Sequence, residues 1–183
     1  MPDYRRSKVE GGTYFFTVVT YNRHPLFASD EARQILHAAW ANTQHRFPFR
    51  TDAVCLLPDH LHCIWTLPDG DDRYSIRWKE IKRLFTKEFL ARVGSGGNRN
   101  ESRMKRGEAA VWQRRFWEHR IRDDRDYYQH IEYIHYNPVK HKLVSNPADW
   151  PWTSLHRFID LGYCEKNWGV AVNEEIDRMG CGE

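Results

Sequence analysis

DAVCLLPDHLHCIWTL, Asp52–Leu67, is the stretch that decides the fold. Asp52 to Leu57 and His60 to Leu67 are short apolar runs, and Pro58-Asp59 between them is turn chemistry, so the stretch predicts two strands joined as a hairpin. Upstream, Gly11-Gly12 opens Thr13–Thr20, which is β-branched and aromatic throughout and predicts a strand. Between that strand and the hairpin, Ser29 or Asp30 caps a helix in which Ile35, Leu36, Ala39 and Trp40 keep helical spacing to about His45. Downstream, Tyr74 to about Arg92 is an amphipathic helix with Trp78, Ile81, Phe85 and Phe89 on one face and Lys79, Lys82, Arg83 and Lys87 outside it.

Gly94–Gly107 is polar and glycine-rich and predicts a mobile loop, extending to about residue 109. Val111–Ile121 (VWQRRFWEHRI) follows as a strand. The order strand–helix–strand–strand–helix–strand predicts an α+β fold, a ferredoxin-like βαββαβ sandwich whose antiparallel sheet carries its helices on one face. An appended helix begins at the cap Asp123-Asp124 and is expected to stop near Asn137, ahead of Pro138. Asp149–Thr153 (DWPWT) precedes a short helix through Phe158. The expected organisation is one domain over residues 1–168 and a C-terminal tail over 169–183, with no repeats.

Composition narrows the class. The chain has 183 residues, enough for one compact domain that needs no disulfide or metal to fold. Charged residues make up 29% and hydrophobic ones 40%, which excludes a largely disordered chain. No apolar run approaches a membrane span and no signal-peptide pattern is present, so no membrane association is expected. Four cysteines without a CxxC pair suit a reducing compartment, and the expectation is cytoplasmic. Lys plus Arg exceed Asp plus Glu by 28 to 25, a mild basic excess. More telling, 8 Trp, 9 Tyr and 9 Phe are interleaved with cations, a pattern that suits stacking on unpaired bases while holding phosphates. The same rings would serve as core in a small polar protein. The interleaving nominates Arg5, Arg6, Arg77, Trp78, Lys82, Arg83, Arg114, Arg115 and Arg120 as nucleic-acid contacts.

Two motifs carry chemistry. In Asp59–Trp65 (DHLHCIW), strand alternation puts His60 and His62 on one face about 6.6 Å apart, close enough to share a divalent ion, with Leu61, Cys63 and Trp65 turned to the core. With no third histidine or CxxC in reach, an incomplete shell suits a catalytic metal; a pair of half-exposed histidines without a ligand is the alternative. In DRDYYQHIEYIHYNP, helical periodicity puts Tyr127, Ile131 and Ile134 on a core stripe, and Asp126, His130, Tyr133 and Asn137 on the opposite one. Tyr133 and Asn137 are one turn apart, about 6 Å, so both can reach one site. An ordinary solvated helix face is the competing reading. Joined, the motifs suggest a metal on His60, His62 and Asn137 that polarises a phosphodiester while Tyr133 attacks it.

These residues bear a family likeness. YRRSKVEGGTYFFTV, LLPDHLHCIWTLP, RWKEIKRLF, WQRRFWEHRIRDDRDY, HIEYIHYNPVKH and DWPWTS, in that order from Tyr4 to about Trp168, resemble the REP-associated tyrosine transposases, a branch of the single-tyrosine HUH nucleases related to insertion-sequence transposases. The resemblance implies a metal-dependent enzyme that cuts and rejoins single-stranded DNA beside a REP-type hairpin. It implies Mg²⁺ or Mn²⁺ on His60 and His62, Asn137 as third ligand, Tyr133 as nucleophile, and a covalent 5′-phosphotyrosine with a free 3′-OH. It also implies a monomer or weak homodimer. Two departures stand out: Lys142 follows His141 where the family commonly has glycine, and the Gly94–Gly107 loop is longer than usual. Three other functions compete: a non-catalytic hairpin-binding regulator, a replication initiator or relaxase, and a metal hydrolase with no role for Tyr133.

Overall fold

Strand β1 (Thr13–Val19) is central in a four-stranded antiparallel sheet, flanked by β3 (His60–Thr66) and β4 (Trp117–Arg120), with β2 (Arg50–Leu56) beyond β3. The structure is a computed structural model and describes residues 8–94 and 97–169. Arg5, Arg6 and residues 170–183 lie outside the described residues. The order β2-β3-β1-β4 is that of the ferredoxin-like sandwich read from the sequence.

Strand alternation gives the sheet two faces of different use. Tyr14, Phe16 and Val18 of β1, with Leu61, Cys63 and Trp65 of β3, pack against α1 (Asp30–Arg46) and α2 (Tyr74–Arg92). The centre of this core is Trp65 stacked on Trp78, ring centroids 4.2 Å apart. On the opposite face Phe15, Ala53, Cys55 and Ile64 meet Ile131, Tyr133 and Ile134 of a long helix that runs Asp124–Lys140. A five-residue helix, Glu101–Lys105, precedes β4, so in chain order it is α3, the long helix is α4, and the last is α5 (Leu155–Asp160). The appended helix thus lies across the sheet from α1 and α2.

Segment 150–154 seals the free edge of β2. Leu56 N–H donates to the Trp152 carbonyl (2.9 Å), Ser154 N–H to the Val54 carbonyl (2.8 Å), and Trp150 Nε1–H to the Leu56 carbonyl (3.0 Å). An edge so covered offers few unpaired groups to another chain. It also brings residues 147–168 over the outer side of α4, where His135 meets Ser154 Oγ at 3.0 Å and the Phe158 ring at 4.8 Å.

Three sequence expectations change. The strand expected over Val111–Ile121 is regular only at Trp117–Arg120; earlier, Trp112 makes an isolated bridge to Thr20, Gln113 N–H donates to the Val19 carbonyl (2.9 Å), and the backbone at Arg114–Phe116 leaves the sheet, exposing Arg114 and Arg115. The segment expected as a mobile loop to about residue 109 is anchored over its described part. Asn100 caps α3, and Arg103 is buried, donating to the carbonyls of Ala109 (2.6 Å) and Trp112 (2.7 Å) and lying over the Tyr21 ring. Glycine content signalled freedom there, but one buried guanidinium satisfying two carbonyls overrides it. Finally, α4 runs through Pro138 to Lys140. Proline removes one backbone donor, and this close to the helix end that costs one hydrogen bond while the last turn still forms.

Candidate active site

His60 and His62 stand on the α4 face of β3, both buried, with ring centroids 4.9 Å apart. Each is oriented from behind. His60 Nδ1–H donates to Asp59 Oδ1 at 2.6 Å, which leaves Nε2 as the nitrogen with a lone pair; that atom is buried and has no hydrogen-bond partner. His62 sits directly across from Thr17 in the β1–β3 register, and its Nδ1 shares a 2.9 Å hydrogen bond with Thr17 Oγ1. Burial pushes the Asp59 carboxyl up, but the His60 hydrogen bond and charge and the Arg23 ion pair (3.0 Å) outweigh it and hold the group at about 2. Asp59 is therefore an anion fixed behind His60, the arrangement that sets the tautomer of a metal-ligating histidine.

Helix α4 supplies the other wall. The Tyr133 ring meets the His62 ring edge-on at 5.2 Å and Phe15 at 5.9 Å, and the His141 ring meets His60 at 4.9 Å. Residues 133–141 therefore run alongside the histidine pair, with Asn137, fully buried, midway between Tyr133 and His141. The donor set suits a hard divalent cation: two imidazoles and an amide oxygen, backed by a carboxylate, with buried His60 Nε2 turned to no protein partner.

Burial along α4 overturns the expected division of its faces. The stripe Asp126, His130, Tyr133 and Asn137 is buried, as are Ile131, Ile134, His135 and Tyr136. Tyr127 is half-buried and Tyr128 is 63% exposed. Covered by the sheet on one side and residues 147–168 on the other, the helix has no wholly solvated face over 130–138. Its polar stripe is internal. Tyr136, three residues beyond Tyr133, packs near Gly169.

A second polar cluster closes the start of α4. His119, Asp126 and His130 bring ligand atoms within 4.8 Å of one another, the one such three-residue group among the described residues. It functions as a clasp: Asp126 accepts from His119 Nε2 (2.8 Å) and from Arg122 N–H (3.0 Å) and Nε–H (3.1 Å). Burial raises the Asp126 carboxyl, yet those bonds outweigh it and set it at about 2. His130 stacks on His119 and touches Phe15, which links the clasp to the Tyr133 ring.

The nominated basic residues divide. Arg77 and Trp78 are buried and unavailable to DNA: Arg77 pairs with Asp71 at 3.0 Å and donates to the Pro48 carbonyl at 2.6 Å, and Trp78 is core. Their place on the inner turn of α2 explains this, since an arginine beside a core tryptophan can reach inward as readily as outward. Lys82, Arg83 and Arg114 line a groove of about 740 Å³ between α2 and residues 108–116, where Lys82 lies over the Trp112 and Phe116 rings. Arg115 and Arg120 are exposed. This groove is on the α2 side of the sheet, across from the histidines. A cleft of about 1190 Å³ lies between α1, β2 and residues 151–157 and contains none of the candidate catalytic side chains. The sequence reading missed Asp59, Thr17, Lys140 and His141 as parts of the site. Asp59 and His141 had a signal, being adjacent to motif residues; Thr17 became visible only through strand register.

No model of a known protein family matches the chain. Two relatives do. A Haemophilus influenzae protein provisionally named a REP-associated tyrosine transposase is 41% identical over 169 residues, covering 92% of this chain and 94% of its own. The REP-associated tyrosine transposase of Escherichia coli K12 is 40% identical over 174 residues, covering 95% and 94%. Among solved structures, a REP-associated tyrosine transposase bound to a REP hairpin superposes with a TM-score of 0.81 at 38% identity, covering 100% of this chain and 98% of that one. With that identity spread over nearly the full length of each relative and carried by the same fold, the chain belongs to the REP-associated tyrosine transposases and is a DNA transposase.

Proposed function

We propose that this transposase cuts and rejoins single-stranded DNA beside a REP-type hairpin, using Tyr133 as nucleophile and Mg²⁺ or Mn²⁺ held by His60, His62 and Asn137. The single observation that carries the reading is the 5.2 Å contact between the Tyr133 ring and buried His62, which puts a phenol next to a pre-oriented histidine pair. The solved relative bound to a REP hairpin supports the hairpin as the DNA partner. Residues 1–168 form the catalytic unit in this reading.

A cation held by that donor set would supply Lewis-acid stabilisation of the charge that builds on the phosphate. The chain's own residues do the rest. Asp59 and Thr17 fix the rings of His60 and His62 through their Nδ1 atoms. The Tyr133 phenol oxygen forms a bond to phosphorus while the P–O3′ bond breaks; the phenol proton passes to solvent, and O3′ takes one up to become a 3′-OH. The product, a 5′-phosphotyrosine, keeps the energy of the broken ester, so the reverse step reseals the strand. Tyr133 has no exposed surface, so the site must open for a phosphodiester to reach it.

The test uses a 3′-labelled REP-type hairpin oligonucleotide with a 5′ single-stranded flank, incubated with Mg²⁺ and digested with trypsin. Fragmentation is expected to place the nucleotide on Tyr133, and the adduct is absent in Tyr133→Phe and in EDTA. An adduct on Tyr136, one that persists in Tyr133→Phe, or full cleavage in EDTA overturns the assignment. Tight hairpin binding with no adduct at all supports the regulator instead.

A further inference from the structure

We infer that Lys140 is a catalytic residue of the cleavage step: its ammonium neutralises the scissile phosphate as Tyr133 attacks and holds the phosphotyrosine that forms. The inference rests on the reading of Tyr133 as nucleophile.

The geometry is specific. Lys140 Nζ donates to the Tyr133 hydroxyl at 3.3 Å and lies 4.7 Å from the centre of the Tyr133 ring. Seven residues separate the two, close to two full turns, so they share one edge of α4. That placement depends on the helix continuing through Pro138; a helix stopped at Asn137 would leave Lys140 in the following turn, without this alignment. Lys140 is half-buried, so its charge acts where water screens it less than at an open surface.

A phosphorus in line for attack by the phenol oxygen stands about 3–3.5 Å from it. Its non-bridging oxygens then fall within reach of a cation already bonded to that oxygen. In the ground state Nζ donates to the phenol; when the diester enters, the same N–H groups can turn to a non-bridging oxygen. The diester carries one negative charge, and attack by an oxygen nucleophile adds to the charge on the phosphoryl oxygens. A cation fixed beside the attacking atom stabilises that state more than the ground state. Lys140 acts here as a charge and a hydrogen-bond donor; it transfers no proton.

A lysine that only gripped the DNA backbone would contribute affinity and leave the chemical step alone, and one that only supported the helix would slow every substrate alike. The experiment separates these. The cleavage position is mapped with wild type, and a second oligonucleotide carries a methylphosphonate there, which has no negative charge. Single-turnover adduct formation is measured at saturating DNA for wild type, Lys140→Gln and Lys140→Arg, with hairpin affinity recorded separately. Lys140→Gln is expected to form the adduct roughly 100-fold more slowly on the normal diester, and within about threefold of wild type on the methylphosphonate, where no charge needs neutralising. Lys140→Arg should recover much of the rate on the normal diester. A Lys140→Gln rate equal to wild type on the normal diester, with only affinity reduced, overturns the inference, as does an equal slowing on both substrates. Failure of wild type to join DNA to Tyr133 overturns the underlying reading and this inference with it, a result distinct from a normal adduct that ignores Lys140.

Discussion

The Asp59 carboxylate holds Nδ1 of His60 at 2.6 Å and Arg23 at 3.0 Å, so the residue preceding the first histidine of the motif orients its ring. An Asp59→Asn substitution keeps the size and removes the anion. Divalent affinity, read as the Mn²⁺ concentration that half-saturates cleavage, is expected to weaken 10- to 100-fold. Hairpin binding measured in EDTA should be unchanged, because Asp59 is engaged with His60 and Arg23 and is none of the nominated DNA contacts. An unchanged Mn²⁺ requirement would mean that the ring needs no such support.

Arg77 and Arg114 were nominated alike from sequence and should behave oppositely. Arg77 is 2% exposed and tied to Asp71, whose carboxyl is held well below the usual range chiefly by that guanidinium. Arg77→Ala leaves the Phe47 and Pro48 carbonyls without their donor and Asp71, half-buried, with Arg73 alone, and should cost about 1–3 kcal/mol in denaturant unfolding. Arg114 is 41% exposed at its side chain and paired with Glu108. Arg114→Ala should leave unfolding unchanged and lower the slope of log K against log salt by about 0.7, the single-strand value for one phosphate. A five- or six-phosphate contact on unpaired DNA corresponds to a wild-type slope near −4 on the same coefficient, roughly.

Lys142 has a φ of 56°, the left-handed region. It is the residue after the cap of α4: Lys142 N–H donates to the Val139 carbonyl at 2.8 Å and Leu143 N–H to the Pro138 carbonyl at 2.9 Å, the paired bonds of a Schellman ending. Glycine adopts that conformation without strain, whereas the lysine Cβ is strained there. Lys142→Gly should raise stability by about 0.5–1 kcal/mol, or about 2 °C in Tm, and Lys142→Val should lower it. A thermal melt of the three proteins decides the sign.

Burial pulls His135 down to about 3, with the charges of Arg157 and His156 adding to the effect. The unfolded residue takes up its proton near pH 6.5, whereas the folded one does not until far lower, so the unfolded state binds more protons and stability falls as pH drops below about 6.5. Between pH 7.5 and 5.5 this group alone should remove about 1.4 kcal/mol. His135→Gln, which keeps an amide for Ser154, should give a flatter profile over that window. An equally steep profile would assign the acid sensitivity elsewhere, with His130, also lowered by burial, as the next group to test.

Local chemistry made much of this protein legible before any coordinates. The Asp52–Leu67 hairpin, the β-branched run at Thr13 and the helical spacing in α1 and α2 each follow from nearest-neighbour rules, and those rules gave the order of the sheet. Period-two alternation likewise put His60 and His62 on one face, and period 3.6 put Tyr133 beside Asn137. What failed were judgements about which side of an element is wet. The stripe Asp126, His130, Tyr133 and Asn137 reads as polar from its composition, and it is buried because the sheet covers one side of α4 and residues 147–168 cover the other. Arg77 reads as a surface cation and is a buried tie between α2 and the Phe47–Pro48 turn, because only the packed structure supplies Asp71 and two carbonyls at once.

The sequence by itself determined the element types, the ferredoxin-like order, the shared face of His60 and His62 and the shared face of Tyr133 and Asn137, since each depends on residues close together in the chain. Tertiary structure alone decided that Thr17 backs His62 across a strand pair, that Arg103 turns a glycine-rich segment into an anchored one, and that α4 outlasts Pro138 to bring Lys140 onto Tyr133. Those contacts join residues whose spacing in sequence carries no period, or depend on a helix end whose cost is offset by packing. No propensity encodes them, because the free energy that selects them exists only once the two faces of the sheet have been covered.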